Sequence, residues 1–142
     1  MSVSGQGAPR AGGLSKKLSD EAVERILKGD LAGAGSLLVE AVNADGDNFE
    51  ARMNLCFLAA KTGDAPPGAE NCGEAVFLSV KPPKHSIASK DRLPPAYYSR
   101  GAFYFKIGDK AKACLDMRRA MEAASSGRPP ARKRLQAACV ER

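Results

Sequence analysis

Gly-Asp pairs stand at Gly29-Asp30, Gly63-Asp64 and Gly108-Asp109. A glycine just past a helix can take the left-handed conformation that closes the C-terminus without a Cβ penalty. An Asp after it can accept hydrogen bonds from the free N–H groups of a following helix. Each pair is therefore predicted to end one helix and to start another. The first two glycines lie 34 residues apart and the next two 45 apart, so an insertion of 11 residues restores a single period. Residues 81–95, "KPPKHSIASKDRLPP", carry four prolines and are predicted as that inserted loop.

The flanks of each pair read as helices that bury one face. Ala22, Val23, Ile26 and Leu27 precede Gly29, and Leu31, Ala34, Leu37, Leu38 and Ala41 follow it. Leu55, Cys56, Leu58 and Ala59 precede Gly63, and Cys72, Ala75, Val76 and Leu78 follow. Pro66 and Pro67 fall in a first turn, where a missing N–H matters little. The closest approach within each hairpin is predicted at Gly101 with Ala113, Cys56 with Gly68, and Val23 with Ala34. Tyr97, Tyr104, Met117 and Leu38 are expected between hairpins. A chain that is 44% hydrophobic but only 6% aromatic, with no Trp, suits closely packed helices, so the fold class is all-α. One such hairpin cannot bury its apolar face alone, and three must stack.

Period, small-residue positions and patterning together resemble the tetratricopeptide repeat, a 34-residue helix-turn-helix unit. Tyr97, Gly101, Tyr104, Ala113, Met117 and Ala120 fit its pattern in the third unit, with Arg100 where Leu is usual. Leu55, Cys56, Ala59, Gly68, Cys72 and Ala75 fit more loosely in the second. Ala34, Leu38 and Ala41 fit the second helix of the first unit, whose first helix reaches Gly29 one residue early. The resemblance implies a right-handed solenoid of about six repeat helices, with units at about 18–46, 49–80 and 94–124. "ARKRLQAACVER", residues 131–142, is predicted as a capping helix.

Members of that family mostly bind extended peptides or partner helices in a groove lined by the first helices. Here the lining is expected to include Asp20 and Glu24, then Glu50, Met53, Asn54, Phe57 and Lys61, and then Tyr98, Ser99, Ala102, Phe105 and Lys106. The second and third units look most like the repeats of co-chaperones that hold the acidic tail of a heat-shock chaperone. Asn54 matches one of their carboxylate-gripping residues. Asp20 and Glu24 replace a Lys and an Asn, and Pro95 and Ser99 replace a Lys and an Arg. Acids at such a place repel a carboxylate, which counts against chaperone-tail binding.

Charge is unevenly spread: residues 14–80 carry a net −5 and residues 81–142 a net +10. Arg128, Arg132, Lys133 and Arg134 form a basic surface, read as a solvated face rather than a nucleic-acid site. No phosphate-binding loop, metalloprotease motif or nucleophile elbow is present, so no catalysis and no cofactor are expected. Cys56, Cys72, Cys114 and Cys139 are too widely spaced for a metal site; three of the four fall inside apolar helical patterns and are predicted to be reduced core residues of an intracellular, cytoplasmic protein, an organellar one being the alternative. No apolar run is long enough to span a membrane. Residues 1–17 have no hydrophobic signal block and are predicted as a flexible or partner-bound tail. The expected function is that of a protein-binding scaffold, as a structural subunit of a larger assembly or as an exchangeable peptide-binding adaptor.

Overall fold

At Gly29, Gly63 and Gly108 the backbone turns through the left-handed region, with φ of 86°, 82° and 89°. These turns organise the computed structural model, which describes residues 4–81, 92–123 and 139, with side chains from residue 13 onward. The described residues form six α-helices and no strand: α1 (Ser4–Leu27), α2 (Leu31–Ala44), α3 (Phe49–Thr62), α4 (Ala65–Val80), α5 (Leu93–Lys106) and α6 (Lys110–Ala123). α1 pairs with α2, α3 with α4 and α5 with α6. α3 and α4 both pack on α5, and α2 packs on α3, while α1 meets α3 over a short stretch only.

Asp30 caps α2 by accepting from the Gly33 N–H at 2.9 Å, and Asp109 accepts from the Lys112 N–H at 3.1 Å. Asp64 makes no such bond. The residues two and three places after it are Pro66 and Pro67, which have no N–H to donate. The Gly33 N–H, followed by the Arg25 guanidinium, holds the Asp30 carboxyl below its ordinary value. A depressed carboxyl stabilises the fold above its unfolded pKa, and this stability is lost as the pH falls through the folded one. The melting temperatures of the wild type and Asp30→Ala are thus expected to differ near neutral pH and to converge by about pH 2. A gap independent of pH would contradict this.

Counted from each turn glycine, the same places are buried in all three hairpins. Five, nine and twelve residues after it stand Ala34, Leu38 and Ala41, then Gly68, Cys72 and Ala75, then Ala113, Met117 and Ala120. Seven residues before it stand Ala22, Cys56 and Gly101. The first helix therefore arrives at Gly29 in step with the others. Ala22 is fully buried and Val23 is 38% exposed, so Ala22 takes the place expected for Val23 in the core with Ala34 and Leu38.

Gly68 sits on a second close approach. A Cβ there would lie 2.7 Å from the Ala59 Cβ and against the Phe103 ring, whereas a Cβ on Gly73, one and a half turns along the same helix, would meet nothing within 4 Å. Gly73→Ala is expected to stabilise the chain by about 0.5–1 kcal/mol through helix propensity. Gly68→Ala should lower stability by about 1–2 kcal/mol despite the same gain. Urea unfolding of both variants checks the pair, and a stabilised Gly68→Ala would contradict the packing.

Two boundaries differ from expectation. α1 continues N-terminally to Ser4, so the stretch expected as a tail is helical from there. Ser15, within it, is buried, donates to the Ala41 carbonyl at 2.7 Å and accepts from the Asn48 side chain at 2.7 Å. Asn48 also caps α3 through the Ala51 N–H at 3.0 Å, and this chain of polar contacts ties the first hairpin to the second. α5 begins at Leu93, which places Pro94 and Pro95 in its first turn rather than in the loop. Most of the expected loop, and the capping helix except Cys139, lie outside the described residues.

Candidate protein-interaction surfaces

The residues expected along the first-helix groove fall into two groups. Asp20, Glu24, Glu50, Lys61 and Lys106 are exposed, whereas Met53, Asn54, Phe57, Tyr98, Ser99, Ala102 and Phe105 are partly buried. Asp20 is engaged by Lys16 at 2.9 Å, one helical turn away. Lys61 lies over the Phe57 ring, 5.0 Å from its centroid, while Phe57 packs on the core formed by Ala22, Leu38 and Leu58. Met53 packs on a second core with Phe49, Ala75 and Leu78. Lys61 and Lys106 each stand two residues before a turn glycine, and the Lys106 stem runs beside Gly63. Arg128, Arg132, Lys133 and Arg134 lie outside the described residues.

Between α5 and α6 the chain buries a charge pair that its sequence pattern did not reveal. Asp116 is 2% exposed and accepts from Arg100 Nε at 2.7 Å and from a terminal guanidinium nitrogen at 2.9 Å. Arg119 approaches it at 3.4 Å. The Arg100 guanidinium also lies between the rings of Tyr97 and Tyr104, at 5.7 and 5.9 Å. A buried carboxylate is tolerable here because both its oxygens are met by cationic donors. The matching place in the second hairpin holds Asn71, which accepts from Arg52 at 2.9 Å and donates to the Pro67 carbonyl at 2.9 Å.

The cysteines are not reduced. Cys56 of α3 is bonded to Cys72 of α4, with Cα atoms 4.7 Å apart, and Cys114 of α6 to Cys139, at 5.5 Å. Wide spacing in sequence argues against a metal site but not against a disulfide, which needs only two Cβ atoms facing each other across a hairpin. Cys56 and Cys72 are both fully buried beneath Phe103. Alkylation of the unfolded, unreduced chain is expected to label no cysteine, and reduction is expected to lower the unfolding free energy by about 3 kcal/mol per bond. Labelling of Cys56 or Cys72 without a reductant would contradict the pairing.

On the side of the second helices, a cavity of about 650 Å³ opens between α2, α3 and α4. Gly35 and Val39 of α2, Leu55 and Ala59 of α3, and Pro67 and Gly68 of α4 line it, with Asp64 and Asn71 among its polar groups. Val39 is 50% exposed, so the cavity opens toward solvent along α2.

No group of His, Cys, Asp and Glu suited to a metal ion occurs among the described residues, and no described helix is long and apolar enough to cross a membrane. Compared with protein-family models, with curated proteins and with solved structures, the chain matches none of them.

Proposed function

We propose that the chain is a non-catalytic protein-interaction scaffold, built as three tetratricopeptide-like repeats in a right-handed solenoid and serving as a structural subunit of a larger assembly. The observation that carries this reading is the common register of the three hairpins, in which matching positions around Gly29, Gly63 and Gly108 are buried in turn. A stack of this kind offers its successive first helices as one continuous surface, and such surfaces bind extended segments or helices. Here that surface holds Asp20, Asn54 and Ser99 at matching places, nine residues before each turn glycine. None of the three is cationic, and only Asn54 matches a residue that grips a carboxylate tail, which favours fixed assembly over exchange of chaperone tails.

The disulfides bear on compartment. Cytosolic thiols are kept reduced, whereas paired cysteines persist in oxidising surroundings, so the organellar alternative gains over the cytoplasmic one.

The test is recovery of the tagged chain from its source cells at low and high salt, with the accompanying proteins identified by mass spectrometry. One fixed, stoichiometric set of subunits retained at high salt is the expected result. Recovery of heat-shock chaperones that is abolished by Asn54→Ala would replace the subunit reading with the adaptor reading.

A further inference from the structure

We propose that the cavity between α2 and α4 is a second docking site, which takes a basic amphipathic helix of a partner protein. It lies on the second helices, so it does not depend on what the first-helix surface binds.

The cavity is lined by Leu55 and Ala59 at places where the third hairpin carries longer polar or aromatic side chains. Leu55 and Ala59 stand 45 residues before Arg100 and Tyr104, the spacing of the turn glycines. In the third hairpin the Arg100 guanidinium and the Tyr104 ring occupy that position, 5.9 Å apart, and Lys112 lies over the same ring at 5.6 Å. The third hairpin thus carries cationic and aromatic side chains of its own at the places where the second hairpin has Leu55 and Ala59. Groups of the same chemistry on a partner fit there.

The charge of the walls selects the same partner. α2 has no Lys or Arg and carries Glu40, while Arg25 is engaged by Asp30 at its N-terminus and Arg52 of α3 by the lining residue Asn71. Residues 62–80, which contain α4, likewise have none and include Asp64, Glu70 and Glu74. Glu40 follows the cavity residue Ser36 by one turn, and Glu74 follows Asn71 by one turn. An apolar floor with Asp64 in its lining, and with Glu40, Glu70 and Glu74 on the helices that bound it, is complementary to a helix with an apolar stripe flanked by Lys and Arg.

The probe is a labelled 18-residue peptide of leucine and lysine, with leucines at helical intervals (about five turns,), titrated into the oxidised full-length chain. Its counterpart with glutamate in place of lysine is the control. The lysine peptide is expected to bind about tenfold or more tightly than the glutamate peptide, and more weakly as salt rises. Gly35→Leu projects a side chain into the cavity where a Cβ meets only Leu58, at 3.7 Å, and is expected to weaken binding about tenfold while leaving helix content intact. Glu70→Lys with Glu74→Lys should weaken it at low salt, and Lys61→Ala with Lys106→Ala should leave it unchanged. Equal binding of both peptides, or undiminished binding to the Gly35→Leu chain, would overturn the proposal. So would self-association that Gly35→Leu abolishes in a chain that ignores the peptide, since the cavity would then belong to a second copy.

Discussion

Phe103→Ala is expected to cost about 4 kcal/mol, close to the largest loss a single side chain in a domain of this size can produce. Phe103 is fully buried, touches Gly68 of α4 and covers the Cys56–Cys72 bond, so it joins α5 to the core of the second hairpin. The hole left behind cannot close easily, because one wall is a helix pair fixed by a disulfide. Phe105, two residues away and partly exposed, should cost only about 1 kcal/mol when truncated in the same way. Thermal melts of the oxidised chain check both, with a fall of roughly 15 °C expected for Phe103→Ala. Equal effects at the two positions would contradict the arrangement of α5.

Asp116→Ala is expected to cost about 3–4 kcal/mol by leaving the partly buried Arg100 without its carboxylate. The cost arises from an unpaired charge rather than from lost packing, and a double variant separates the two causes. Arg100→Leu together with Asp116→Ala should recover at least half of the loss, because no uncompensated charge remains. Additive losses would show that the pair acts through packing. The test also probes the junction of the hairpins, since Arg100 lies against Tyr97 and Tyr104, which pack on cores that include α3 and α4.

The turns and the buried faces of the second helices were legible because they are local. A left-handed glycine and a helical apolar stripe each declare themselves within a few residues, and Ala34, Leu38 and Ala41 are buried as their spacing required. Contacts across a hairpin were less legible, although the turn register contains them. The places seven before and nine after the glycine face each other: Gly101 lies against Met117, and Ala22 shares a core with Leu38. In the second hairpin both places are cysteine, and they bond. Placing Val23 where Ala22 stands disguised this rule in the first unit. Arg100 and Asp116 stand eight residues either side of Gly108 and follow a neighbouring rule, which becomes visible once the helices are known to be in register.

What lay beyond the sequence pattern depends on distances between hairpins. The gap over Leu55 and Ala59 is set by how far α2 stands from α4, and no spacing within either helix encodes that. The link from Ser15 through Asn48 is similar: a lone polar residue in a glycine-rich stretch resembles a tail until the Ala41 carbonyl is seen beside it.

Lys61 and Lys106 occupy matching, exposed places on α3 and α5 and give the assembly claim its most direct test. In chemical crosslinking of the chain in its native extract, read by mass spectrometry, both lysines are expected to join to the same one or two partner proteins, reproducibly and in constant proportion. Crosslinks from them to many unrelated proteins in varying proportion, or none at all while Lys110 and Lys112 crosslink freely, would contradict a fixed interface on the first-helix surface.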